Sequence, residues 1–84
     1  MSEVVMYATL FCPYCMRARR LLKSKGVSIK ELRVDGDNKL WKVMEKRSGR
    51  NTVPQIFIDD RHIGGYDDLA RINQNGELDK LLYD

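Results

Sequence analysis

Five apolar residues in a row, Val4-Val5-Met6-Tyr7-Ala8, read as a strand with no solvent face. Thr9 to Phe11 then form a loop that carries Cys12 to the surface. From about Pro13 to Lys25 the apolar positions Ala18, Leu21 and Leu22 recur at helical spacing, which predicts a helix with one face on the sheet. Lys23 and Lys25 in its last turn and Gly26 just beyond mark its end. Over Ser28 to Val34, Ile29, Leu32 and Val34 are separated by polar residues, a strand with one slip in period. Asp35-Gly36-Asp37-Asn38 is a turn cluster, and Asp37 or Asn38 caps a second helix that runs to about Ser48. Leu40, Trp41, Val43, Met44 and Arg47 supply that helix's two faces, with Trp41 either on the sheet or over a substrate groove, and Gly49 ends it.

Further on, Gln55-Ile56-Phe57-Ile58 is a third strand, Asp59-Asp60 a hairpin turn and Arg61-His62-Ile63 a short fourth strand. After the Gly64-Gly65 turn a helix starts near Tyr66 or Asp67 with Leu69 and Ile72 inward. Asn75-Gly76 breaks it, and Leu78, Leu81 and Leu82 form a last short helical turn. The order predicts an α/β chain with one four-stranded mixed sheet flanked by helices. The first two strands are joined by a helix and so run parallel, and the last two form an antiparallel hairpin.

Composition narrows the class. The chain has 84 residues, 43% hydrophobic and 32% charged, which fits one soluble domain over residues 1–84 with a modest core. No run approaches the roughly twenty apolar residues of a membrane span, and Glu3 interrupts any leader-like start. The formal charge of +3 is spread through several segments, unlike a concentrated nucleic-acid patch. Arg17, Arg19 and Arg20 cluster, but on the helix beside the cysteines. There they form either a solvated face or a field that attracts an anionic thiol.

The chemistry sits in Cys12-Pro13-Tyr14-Cys15, which holds both cysteines of the chain at a strand-to-helix junction. Such a pair without an export signal points to a reducing, cytoplasmic compartment and a redox role. Pro13 suits the first helical position, where its missing N–H costs nothing. Cys12 then falls at the N-cap, where unpaired amides and the positive helix end favour a thiolate, and such motifs reach pKa values of roughly 3.5 to 7.5. Cys12 is therefore the expected nucleophile. Cys15, three residues on and more buried, is the resolving thiol, and Tyr14 lies at the rim as an aromatic wall. Two inert core cysteines are the bland alternative. Zinc is the other: a closed site needs four ligands, and His62 is the only histidine.

At this point the sequence resembles the glutaredoxin family, in its small bacterial dithiol form, over nearly the whole chain. Cys12-Pro13-Tyr14-Cys15 fits that family rather than thioredoxin, which typically carries Trp-Cys-Gly-Pro-Cys. Thr52-Val53-Pro54-Gln55-Ile56-Phe57-Ile58 is similar to its second motif and Gly64-Gly65-Tyr66-Asp67-Asp68-Leu69 to its third. The resemblance implies a thioredoxin-like fold and a monomeric glutathione-dependent enzyme with glutathione as co-substrate and no metal. Its targets would be disulfide-containing or glutathionylated proteins, ribonucleotide reductase among the family's known ones. It also implies a cis Pro54 that sets the Val53 backbone opposite Cys12, with Thr52 and Tyr14 lining the same groove. Gly64 and Gly65 would let the chain pass close, so that the amides of Tyr66 and Asp67 meet a γ-glutamyl carboxylate. Asp67 would also cap the helix and contact the γ-glutamyl amine. From the residues alone, Thr52-Val53-Pro54 reads only as a loop entering a strand.

Two departures stand out. Thr9 occupies a place where relatives usually carry a lysine for the glycine carboxylate of glutathione, so either glutathione is held more weakly or the task passes to another basic residue such as Lys42 or Arg47. Tyr66 stands where many relatives have a third cysteine and adds bulk at the groove edge. Two other functions fit the same motif. One is a thioredoxin-like reductase fed by a different thiol reductant. The other is a glutathione-ligated [2Fe–2S] carrier, which Pro13 disfavours.

Overall fold

A computed structural model describes residues 2–83. Four strands, β1 (Val4–Ala8), β2 (Ile29–Arg33), β3 (Gln55–Ile58) and β4 (Arg61–Gly64), form one sheet in the order β2-β1-β3-β4. β1 runs parallel to β2 and antiparallel to β3, and β3 is antiparallel to β4. Helices α1 (Pro13–Ser24), α2 (Asn38–Ser48), α3 (Tyr66–Gln74) and α4 (Glu77–Tyr83) complete the chain. The mixed sheet and the parallel β1–β2 crossover are those the element order predicts. The last segment is a helix of seven residues rather than a single turn.

Alternation along β1 builds a core on each side of the sheet. Val4, Met6 and Ala8 meet Ala18 and Leu22 of α1, Leu69 and Ile72 of α3, and Leu78 and Leu82 of α4. Val5 and Tyr7 point the other way, onto Met44 of α2 and Phe57 of β3, with Leu40 and Trp41 packed alongside. Trp41 is thus a sheet-packing residue. β1 and β3 are buried throughout because helices cover both of their faces.

Local chemistry sets the junctions. Asp37 caps α2 by accepting the Leu40 amide at 3.0 Å, and left-handed Gly49 (φ 72°) ends it. Asp59 and Asp60 both take positive φ, 48° and 67°, as a two-residue hairpin turn with the sheet's twist requires. Aspartate tolerates this conformation better than most residues do.

Candidate active site

Cys12 has extended backbone (φ −145°, ψ 100°) and caps α1, with Pro13 at the first helical position. The Cys15 amide donates to Cys12 Sγ at 3.0 Å. A backbone N–H aimed at this sulfur, together with the positive helix end, stabilises a thiolate there once the pair is reduced. Cys12 and Cys15 are joined as a disulfide, with Cα atoms 5.1 Å apart. Both cysteines border the core shared with α1 and α3, but Cys12 retains 7% exposure and Cys15 has none. Of the two sulfurs, burial leaves Cys12 the more accessible.

Val53 faces this junction. Its peptide bond to Pro54 is cis, and its carbonyl oxygen lies 4.0 Å from Cys12 Sγ. Beside it opens a groove of about 270 Å³ lined by Tyr14, Thr52, Val53 and Pro54 on one side and Gly65, Tyr66 and Asp67 on the other. The structure therefore brings Tyr14, Thr52, Val53, Pro54, Gly65, Tyr66 and Asp67, all assigned to the site from the sequence, around one groove. Tyr14 and Tyr66 stack across the rim with ring centroids 6.4 Å apart, and the Arg17 guanidinium sits over the Tyr14 ring at 5.5 Å.

Gly65 is the N-cap of α3, so the amides of Tyr66 and Asp67 belong to the first turn, whose N–H groups lack intrahelical partners. Such a turn is a ready anion site. The expected capping by Asp67 is corrected: Asp68, at the third helical position, reaches back and accepts the Gly65 amide at 3.0 Å. Three residues is the spacing at which a helical side chain returns to its own cap.

Arg50 also lines the groove, and its Nη1 donates to Asp68 at 2.9 Å. The sequence reading missed both. It looked to Lys42 or Arg47 for the missing cation, and neither lines the groove. Arg47 extends the Leu40–Met44 stripe and packs on the far side of the sheet. There it donates to the Tyr7 hydroxyl at 2.8 Å and lies 4.1 Å from the Phe57 ring centroid. The usable signal for Arg50 is position, since it stands two residues before Thr52 in the segment that must enter the groove.

The Arg50 hydrogen bond is the main influence holding the Asp68 carboxyl below its ordinary value of 3.8, with the Gly65 amide helping and burial opposing. On acidification the unfolded chain therefore takes up this proton first. Asp68 contributes its full stability above about pH 4, the ordinary carboxylate range, and loses it as pH falls through the lower folded value. Asp68→Asn should thus melt below wild type near neutrality, and the gap should narrow as the pH falls below about 4. Thermal melts across that range check it.

Behind the groove, Gln55 is wholly buried. Its Nε2 donates to the Thr52 carbonyl at 3.0 Å and the Thr52 hydroxyl at 3.2 Å. A carbonyl only accepts, so the amide nitrogen must face Thr52. Oε1 then faces His62 Nε2 at 2.8 Å, and that nitrogen must carry the proton. Burial and then the Arg50 charge lower the His62 pKa below 6.5, Asp68 opposing, which favours the neutral Nε2–H form. This chain pins the Thr52–Pro54 turn from behind. Gln55→Leu leaves Thr52 and His62 unpaired and should cost about 1–3 kcal/mol, read from the urea midpoint at unchanged slope.

Among the described residues, no three or more His, Cys, Asp or Glu side chains converge as a metal site, and no helix is long and apolar enough to cross a membrane.

A thioredoxin-like sheet with an N-capping cysteine, its partner one turn on, and a cis-proline turn opposite defines a thiol–disulfide oxidoreductase. Comparison specifies the class further. Residues 4–63 match the glutaredoxin family. Glutaredoxin 3 of Escherichia coli (strain K12) is 56% identical over 82 residues, covering 98% of this chain and 99% of that one. A glutaredoxin of Pseudomonas aeruginosa is 46% identical over 82 residues, covering 98% of each. Among solved structures, a buckwheat glutaredoxin–glutathione complex superposes with a TM-score of 0.89 at 26% identity, covering 96% of this chain and 76% of that one. The solution structure of a Brucella melitensis glutaredoxin gives 0.86 at 46% identity, covering 98% and 89%. The chain belongs to the glutaredoxin family.

Proposed function

We propose that this oxidoreductase uses glutathione, through Cys12, to reduce protein–glutathione mixed disulfides and protein disulfides. The observation that carries the reading is the groove beside Cys12, with unpaired helix-start amides at one end and the Arg50 guanidinium within its lining. Glutathione is a short peptide with a carboxylate at each end and a sulfur between. In this reading the Tyr66 and Asp67 amides take the γ-glutamyl carboxylate, Asp67 meets the γ-glutamyl amine, and Arg50 takes the glycine carboxylate that Thr9 cannot hold. Val53 pairs strand-like with the cysteinyl unit, and Tyr14, Thr52, Pro54 and Gly65 shape the walls. The buckwheat relative was solved as a complex with glutathione, which supports the same occupant here.

The chemistry is nucleophilic exchange. The Cys12 thiolate attacks the glutathione sulfur of a mixed disulfide, a Cys12–glutathione bond forms, and the target cysteine leaves as a thiolate. A second glutathione thiolate attacks that bond, so glutathione disulfide departs and Cys12 returns as a thiolate. One glutathione thiol is thus oxidised per mixed disulfide reduced, and two per protein disulfide, where they return the resulting Cys12–Cys15 disulfide to its dithiol. For such a disulfide, Cys12 attacks first and the Cys15 thiolate expels the target, ribonucleotide reductase being one target of this class. Residues 1–84 act as a single domain, a cytoplasmic monomer.

Electron supply tests this. Turnover should follow NADPH oxidation when glutathione and glutathione reductase are the source, and be negligible when thioredoxin reductase replaces them. The reverse would overturn the reading.

A further inference from the structure

The side of α1 turned away from the groove carries a surface that the glutathione chemistry does not use. Leu10 and Phe11, in the loop before Cys12, are exposed, Phe11 at 91%. Phe11 precedes the N-cap and Met16 is the fourth helical residue, a pair that ordinarily packs together across a helix start. Here both stay open, Met16 at 55%. Met16 begins a shallow cleft of about 320 Å³ that it lines with Arg19, Arg20 and Lys23, the i, i+3, i+4, i+7 stripe of one helix face. Tyr14, on the groove, and Met16 differ by two positions, about 200° around the helix, so the two surfaces diverge from Cys12 on opposite sides.

The charge on this stripe is unbalanced. α1 contains no acidic residue. Arg19 is tied to Glu31 at 2.7 Å, while Arg20 and Lys23 have no carboxylate partner among the described residues. The nearby Asp35, 3.4 Å from the Leu10 amide, is held by Arg33 at 2.6 Å. Arg20 and Lys23 lie in the C-terminal half of α1, where cations suit the helix dipole, but no acidic residue on the helix balances them. An apolar patch beside the nucleophile that continues as a row of free cations is complementary to an acidic chain with one apolar anchor.

We propose that this stripe docks the polypeptide half of the disulfide substrate: an extended acidic segment, anchored by an apolar side chain on Phe11 and Met16, with carboxylates at Arg20 and Lys23. The inference rests on the glutathione-linked reading, since it assigns the leaving half of the same mixed disulfide. It also sets a spacing. Lys23 stands about 16 Å along the helix from Cys12, a distance an extended chain covers in about five residues. The acidic positions therefore lie within about three to five residues of the reacting cysteine.

The test compares three glutathionylated peptides, with acidic, uncharged or basic residues at those positions, against glutathione–cysteine disulfide. At low salt the wild type should turn over the acidic peptide with a kcat/KM at least about fivefold above the basic one, and added salt should erase the difference. Lys23→Glu should reverse the preference, and Phe11→Ser should lower kcat/KM for all three peptides. Neither change should move glutathione–cysteine disulfide turnover by more than about twofold, because neither residue lines the groove. Equal rates on acidic and basic peptides, with the small disulfide still reduced, would overturn the docking surface alone. No turnover of any mixed disulfide by the wild type would overturn the glutathione reading and this inference with it.

Discussion

Cys12→Ser should abolish turnover of a glutathione mixed disulfide, by at least about a thousandfold, while Cys15→Ser keeps most of it. The two sulfurs lie one helical turn apart yet differ in three respects. Cys12 is the N-cap and receives the Cys15 amide at 3.0 Å, keeps some exposure and faces Val53 across the groove. Cys15 is sealed in the core and has no route to an incoming sulfur. A serine hydroxyl is barely ionised at neutral pH, so the first substitution removes the nucleophile itself. The second removes only the resolving step, which a glutathione mixed disulfide does not need. With a substrate that holds an intramolecular disulfide, Cys15→Ser should stall at the mixed disulfide. Assays of both variants on both substrates check the division of labour.

Gly64→Ala should be the most damaging single-methyl change near the site, at about 2–4 kcal/mol. Gly64 has φ +119°, a conformation that side chains rarely adopt. A Cβ there would also run into the Asp68 carboxylate and stand 3.0 Å from Arg50 Nη1. Those groups form the bridge that ties the start of α3 to the groove. The methyl group therefore strains the backbone and pries apart Arg50, Asp68 and the Gly65 amide together. Gly36 provides the control: it has φ +79° with nothing near its would-be Cβ, so Gly36→Ala carries backbone strain alone, about 1 kcal/mol. Urea unfolding of both should give the larger midpoint shift for Gly64→Ala. That variant should also show a raised KM for the glutathione substrate, which Gly36→Ala should not.

What the sequence reveals follows the range of the forces involved. α1, with its cysteine cap and proline start, is specified by neighbours within one turn, as are the Asp59-Asp60 turn and the Gly49 helix end, and all are legible. The groove is different. Pro54 cis and Val53 opposite Cys12 came from the family resemblance, because the contact joins residues 41 apart in sequence and nothing local announces it. Arg50 and Asp68 meet across 18 residues, and no periodicity reports such a pair. Arg47 was misplaced for a simpler reason. It falls three residues after Met44 and seven after Leu40, on the stripe those residues turn toward the sheet, so its stem was committed to Tyr7 and Phe57. Asp67 and Asp68 show the limit of one-residue precision: both are acidic and open the same helix, but only Asp68 stands three residues from the cap.

The most direct measurement is the site and number of glutathione adducts. Cys15→Ser protein treated with glutathione disulfide, then digested and mapped by mass spectrometry, should carry one glutathione per chain, on Cys12. The same protein with Arg50→Ala should form the adduct more slowly, because the groove loses the guanidinium that lines it. Absence of an adduct on Cys12, with the thiol shown to be free and reduced at the start, would contradict the account at its centre.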